Sequence, residues 1–218
     1  MIPKSTWTEL VFVLVVVLDF FVLASSRLKA VIRGAAAQGA LLSLLPLLLA
    51  TGKVELGHVL VLSIGALLVK GVAIPWLILW AIREASIRRE VEPIVGFVPS
   101  LILGAVGVAL AFAFSSAMPL PMPGKHADLV PSALSTVWTG LLLIVSRRKA
   151  VTQVIGFLVL ENGVFLFGLL LSDFMPAMVE AGVLLDLFAA VFVMGIVIFD
   201  INREFSSLDT EKLSALRD

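Results

Sequence analysis

The 218-residue chain is 60% hydrophobic and 15% charged, and its 16 basic and 16 acidic residues cancel. A soluble domain carries roughly 25% charged residues, so this balance excludes an ordinary soluble enzyme and indicates a membrane protein. With no cysteine and only two histidines, His58 and His126, the chain has no disulfides, thiolate-held iron–sulfur clusters or cysteine zinc sites, and its zero net charge points to no nucleic acid.

Seven stretches are apolar over about the 20 residues that a bilayer crossing needs: 7–25, 33–51, 57–82, 94–117, 129–146, 150–171 and 179–200. The N-terminus runs from Met1-Ile2-Pro3-Lys4 directly into the first. No small-residue cleavage site follows a short apolar core, so we read this segment as a span and not a removable signal. Tyrosine is absent, which leaves Trp7, Trp76, Trp80 and Trp138 as the expected interfacial aromatics.

Several spans carry an ionisable or amide side chain, which is costly in hydrocarbon and so needs a reason. The first contains Asp19 close to its inner end, with Ser25, Ser26 and Arg27 beyond; the plain expectation is pairing with a nearby basic group. The second contains Gln38, next to Gly39, a candidate for an interhelical hydrogen bond. The third contains Lys70 in Leu-Leu-Val-Lys-Gly-Val-Ala-Ile-Pro (67–75), where Gly71 and Pro75 are expected to loosen the helix and free a backbone carbonyl. The proline-rich segment 118–128 follows the fourth span and cannot continue its helix.

The sixth span follows the basic run Arg147-Arg148-Lys149 and contains Glu161, Asn162 and Gly163, about 15 Å from the basic end by helical rise. The seventh contains Asp186 roughly two turns in, flanked by Gly182 and Gly195. Adjacent antiparallel spans would let Glu161 and Asp186 face one another. The terminal segment 203–218 carries Leu208, Leu213 and Leu216, a short apolar stripe suited to a partner or the membrane surface.

Charge sets the expected orientation. With seven spans, one face collects Arg27, Lys29, Arg33, Arg83, Arg88, Arg89, Arg147, Arg148, Lys149, Arg203, Lys212 and Arg217, and the other only Lys4, Lys53 and Lys125. The positive-inside rule makes the first face cytoplasmic, the N-terminus outside and the C-terminus inside. Ser26-Arg27-Leu28-Lys29-Ala30-Val31 is echoed by Ser146-Arg147-Arg148-Lys149-Ala150-Val151, a sign of duplication between the first three and last three spans. The expected organisation is a three-helix unit over 1–93, a fourth span and outer loop over 94–128, a second three-helix unit over 129–202, and a cytoplasmic tail over 203–218.

No phosphate-binding loop, dinucleotide fingerprint or metal-binding helix motif is present, so the chain is expected to bind no cofactor and to perform no bond chemistry alone. The buried ionisable groups instead define a candidate proton path of Glu161, Asp186 and Lys70, with Asp19, Gln38 and Asn162 as further proton-path or interhelical residues.

The stretch Ser-Arg-Arg-Lys-Ala-Val-Thr-Gln-Val-Ile-Gly-Phe-Leu-Val-Leu-Glu-Asn-Gly-Val-Phe-Leu (146–166) resembles the E component of hydrogenase-4. The Arg-Glu-Phe at 203–205 and the overall layout extend that resemblance across most of the chain. The family is related to the K-type subunit of complex I and the C-type subunit of multisubunit cation/proton antiporters. The resemblance implies that the last three spans form a K-subunit-like unit with Glu161 and Asp186 in matching helices. Aspartate stands where the pattern has glutamate in the last helix.

The resemblance also implies antiporter-like membrane subunits, an H-type membrane anchor and a soluble redox arm with nickel–iron and iron–sulfur subunits as partners, in a bacterial or archaeal cytoplasmic membrane. The expected function is a non-catalytic subunit that passes protons laterally between a redox arm and antiporter-like subunits of a formate hydrogenlyase-type complex. The alternatives are a structural subunit with static buried ion pairs, and a subunit of a sodium/proton antiporter without a redox arm.

Overall fold

Hydrocarbon offers backbone N–H and C=O groups no water, and a helix satisfies them within its own segment. A computed structural model describes residues 4–49, 56–84, 91, 93–117, 128–171 and 195, and among these the chain is built from long helices. They are α1 (Lys4–Ala24), α2 (Leu28–Leu49), α3 (Leu56–Ala66), a π-helical segment (Leu67–Ala73), α4 (Ile74–Glu84), α5 (Phe97–Ala117), α6 (Leu129–Ser146) and α7 (Ala150–Leu171). α3, the π segment and α4 run on as a single span, so the described residues contain six crossings: Thr6–Ala24, Leu28–Leu49, Val59–Trp80, Phe97–Ala117, Leu129–Ser146 and Ala150–Leu170. The expected seventh span at 179–200, and with it Asp186, lies outside the described residues, as does the tail 203–218.

The third span shows how sequence sets local geometry. Pro75 has no N–H, so the Gly71 carbonyl cannot receive the usual α-helical bond from it. The chain answers with a run of wider turns, in which the Ile74 N–H reaches back five residues to the Val69 carbonyl. Such insertions are rare and recur at functional sites. Here the run contains Lys70.

Two antiparallel hairpins, α1–α2 and α6–α7, form the centre; α1 packs on α6 and α2 on α7. The second hairpin is held almost backbone to backbone. A Cβ on Gly163 would stand 2.7 Å from the Val137 nitrogen and 2.9 Å from the Ala133 oxygen, and Gly140 faces the backbone of Leu160. Small residues allow this approach where no hydrophobic effect drives helices together. α5 lies against α1 and α6 through Ser100, Gly104, Gly107 and Ala111, which are buried along one stripe. Trp138 is not an interfacial anchor: it sits near the middle of α6 and its Nε1 donates to the Leu103 carbonyl of α5 at 3.0 Å.

One end of the bundle is tied together by Val91 and the segment 93–97. The Val91 N–H donates to Ser26 O at 2.9 Å and the Ile94 N–H to Ser146 O at 2.8 Å. The two Ser-Arg turns therefore meet the same connecting segment. The end of α1, the starts of α2, α5 and α7, and the end of α6 gather there, together with Arg27, Lys29, Arg148 and Lys149.

Candidate functional site

Inward stripes place the polar groups. Along α2, Val31, Ala35, Gln38, Leu42 and Leu45 recur at alternating spacings of four and three and are all buried, which turns Gln38 to the interior. On α1, Phe12, Val15, Asp19, Val22 and Leu23 share one buried face, and on α6 Ser132, Thr136, Thr139 and Leu143 do the same. On α7, Ile155, Val159, Asn162, Leu166 and Leu169 form the stripe, with Glu161 buried beside it. Lys70 comes to the centre because the π turns bring it against α2, where a Cβ on Gly39 would stand 2.8 Å from the Lys70 Cβ.

These stripes build one hydrogen-bonded chain across five elements. Lys70 Nζ donates to Asn162 Oδ1 at 3.3 Å. Asn162 Nδ2 donates to Gln38 Oε1 at 3.1 Å. Gln38 Nε2 donates to Asp19 Oδ1 at 2.8 Å. Thr136 Oγ1 lies 2.9 Å from Asp19 Oδ2 and 2.9 Å from the Ser132 carbonyl one turn back. Every side chain in the chain is buried; Lys70 is 7% exposed and the others less. The Lys70 ammonium also stands 4.9 Å from the centre of the Phe165 ring, a favourable place for a desolvated cation.

Beside the chain a pocket of about 360 Å³, counting its open mouth, lies between α2, α4 and α7. Lys70, Glu161 and Asn162 supply its polar wall, and Ile32, Ile78 and Leu158 are among its apolar lining. The structure thus brings five of the six candidate residues, Glu161, Lys70, Asn162, Gln38 and Asp19, into one buried region; Asp186 lies outside the described residues. Among the described residues Asp19 does not pair with a basic side chain as expected: its oxygens meet the neutral Gln38 and Thr136. The local reason is that α1 turns Asp19 toward α2 and α6, away from Arg27 on the exposed turn.

Sequence reading passed over two participants. Thr136 looked like an ordinary helical hydroxyl, although the run Ser132, Ser135, Thr136, Thr139 is an inward polar stripe that could have marked it. Arg147 looked like one member of a surface basic run, yet it is 1% exposed. Its NH1 donates to Val95 O at 2.9 Å and its NH2 to Leu23 O at 2.9 Å, and its guanidinium lies 5.1 Å from the Phe97 ring. Burial lowers its pKa from the ordinary arginine value, though arginine in proteins stays charged at working pH. It ties α1, the 93–97 segment and the α6–α7 turn together.

A bundle of six apolar spans with buried amide, cation and carboxylate side chains at its centre defines a multi-pass membrane protein. From residue 128 to 218 it matches the family of NADH-ubiquinone/plastoquinone oxidoreductase chain 4L. It is 30% identical over 160 residues to hydrogenase-4 component E of Escherichia coli K12, covering 73% of this chain and 74% of that one, and matches the Shigella flexneri protein of the same name equally. It is also 35% identical over 192 residues to the uncharacterized protein Rv0085 of Mycobacterium tuberculosis, 88% of this chain and 87% of that one. No solved structure matches. The chain belongs to the hydrogenase-4 component E family, which is like the K-type subunit of complex I.

Proposed function

We propose that the protein is a proton-path subunit in the membrane arm of a complex I-like, group 4 hydrogenase-type assembly. The observation that supports this is the placement of Lys70 and Glu161, from different spans, on the wall of one buried pocket, next to the helix distortion that Pro75 imposes. Opposite charges about 6 Å apart at an effective dielectric near 20 couple by roughly 3 kcal/mol. A proton gained or lost at one group would be felt at the other the more strongly the closer the two charges lie on that wall. Glu161 and Asp186 would hold protons in transit and Lys70 would set the field between them.

In this reading the chain carries no redox centre. Antiporter-like subunits and an H-type anchor would flank it, and a soluble arm with nickel–iron and iron–sulfur subunits would supply the driving reaction. The basic end at Arg27, Lys29, Arg148 and Lys149 would face the cytoplasm, with the N-terminus outside, in a bacterial or archaeal inner membrane. The test is Glu161→Gln in the assembled complex. Proton-coupled turnover is expected to fall by at least tenfold while blue-native gels show full assembly. Normal coupled turnover with full assembly would overturn the proposal, and loss of assembly would favour a structural role with static buried pairs.

A further inference from the structure

The chain of hydrogen bonds between Lys70 and Asp19 has a direction. An ammonium only donates, so Asn162 must present its oxygen to Lys70 and its nitrogen to Gln38. Gln38 is then obliged to accept on its oxygen and to give its nitrogen to Asp19. Turning either amide alone would set like against like at both of its neighbours. The cation thus polarises two amides in series, and a donor N–H is held against Asp19 Oδ1. Amides do not readily hand on protons, so this segment carries charge information and not hydrogen ions.

The other oxygen of Asp19 is arranged differently. Thr136 has a single hydroxyl hydrogen and two acceptors at the same 2.9 Å, Asp19 Oδ2 and Ser132 O. With Asp19 ionised, the Thr136 hydroxyl donates to Oδ2. When a proton from water binds Oδ2, the new O–H donates to Thr136 Oγ1, and the threonine hydrogen turns to the Ser132 carbonyl. Both forms are fully hydrogen-bonded with no heavy atom displaced. A buried acid held only for packing does not require a partner that can serve it in two protonation states.

We propose that Asp19 is a second proton-holding site, hydrogen-bonded to Thr136 in either protonation state and wired electrostatically to Lys70 through Gln38 and Asn162. It deepens the reading of Lys70 and Glu161 as a proton path by adding a branch toward α1 and α6. Among the described residues the charged groups that bear on Asp19 are Lys70 at the far end of the amide chain, Glu161 on the pocket wall with Lys70, and Arg147, which holds the Leu23 carbonyl one turn along α1. α5, also packed on α1, contains no charged residue. Loss of the Lys70 charge leaves the ionised form of Asp19 less favoured.

Infrared difference spectroscopy on the assembled complex in membranes tests this directly. The bands lost in Asp19→Asn identify the residue, and Asp19→Glu identifies them by displacement if the asparagine variant does not assemble. Across the working pH range the Asp19 signal is expected to pass from carboxylic acid to carboxylate. At fixed pH, Lys70→Met should raise the acid-to-carboxylate ratio about tenfold, the effect of a unit charge roughly 10 Å away at an effective dielectric near 20. Lys70→Gln serves if the methionine variant fails to assemble. In a Gln38→Leu background the direct Coulomb part of the Lys70 effect remains, and the response is expected to be smaller than with the amide in place. A signal that keeps one form across the range, or that ignores Lys70, overturns the site; an undiminished response in Gln38→Leu overturns the amide wiring. These readings need no turnover, so they stand apart from the outcome for Glu161→Gln.

Discussion

Asn162 joins the cation of the site to the amide of a second helix: its Oδ1 accepts from Lys70 Nζ at 3.3 Å and its Nδ2 donates to Gln38 Oε1 at 3.1 Å. It thereby gives α2 and the π segment a buried polar link to α7. Asn162→Leu fills a similar volume and removes the bond that each neighbour makes to it. A buried polar group left without its bond costs about 1–3 kcal/mol, which for a chain of this size lowers the melting temperature by roughly 2–10 °C. Thermal unfolding of the purified complex, followed by the fluorescence of its tryptophans, reads that loss. An unchanged melting temperature would show that the link adds nothing to stability.

Arg147 is a different kind of buried charge. Its planar fork reaches two carbonyls on separate elements, Leu23 O and Val95 O, at 2.9 Å each, and its face covers Phe97. A lysine keeps the charge but presents one compact ammonium and cannot span both acceptors. Arg147→Lys is expected to destabilise the chain by about 2 kcal/mol, whereas the same change at exposed Arg148 stays within roughly 0.5 kcal/mol. Paired melting curves of the two variants make the comparison, and equal losses would show that charge alone, without the fork, does the tying.

Glu161 and Lys70 were legible from sequence because a charge within a long apolar run is expensive wherever the helices sit. The six described spans were legible for the same reason: hydropathy depends on composition along the chain, not on packing across it. What could not be read was rotation about each helix axis. Asp19 was expected to seek a cation, because Arg27 is near in sequence, yet its partners Gln38 and Thr136 come from α2 and α6 and are fixed only by how those helices turn. Arg147 was hidden in a run of three basic residues, and nothing local distinguishes the one that folds inward from Arg148, which stays exposed. Pro75 announced a disturbed helix, but a proline alone does not say that the disturbance is seven residues of wide turns, or that they set Lys70 against Gly39 of α2.

The close approach of α6 and α7 gives a prediction with its own control. A methyl group on Gly163 would press on Val137 N and Ala133 O at distances well inside van der Waals contact, both of them backbone atoms that cannot swing aside. Gly163→Ala must therefore separate the helices, at about 1–3 kcal/mol for overpacking, and it would displace Glu161 and Asn162 directly beside it. Gly168 on the same helix has nothing among the described residues within 4 Å of the added carbon, so Gly168→Ala should be neutral in stability. Coupled turnover and melting temperature are both expected to fall for the first and to hold for the second. Equal behaviour of the two would mean the hairpin tolerates a wider spacing.

Pro75 offers a way to change the position of Lys70 without touching its chemistry. Alanine at this position restores an N–H that can reach the Gly71 carbonyl, removing the cause of the wide turns. Relaxation to an α-helix moves the preceding residues by up to one place in register, about 100° around the axis and 1.5 Å along it. Such a rotation would carry the Lys70 ammonium off Asn162 and away from the pocket wall it shares with Glu161. Pro75→Ala should thus leave the melting temperature within a few degrees, about the size of one lost buried bond, because the gain of a regular helix offsets the lost Lys70–Asn162 bond, while coupled turnover falls by at least tenfold. The opposite pairing, a lower melting temperature with full turnover, would show that the tertiary contact at Gly39 holds the π turns on its own and that the proline serves only stability.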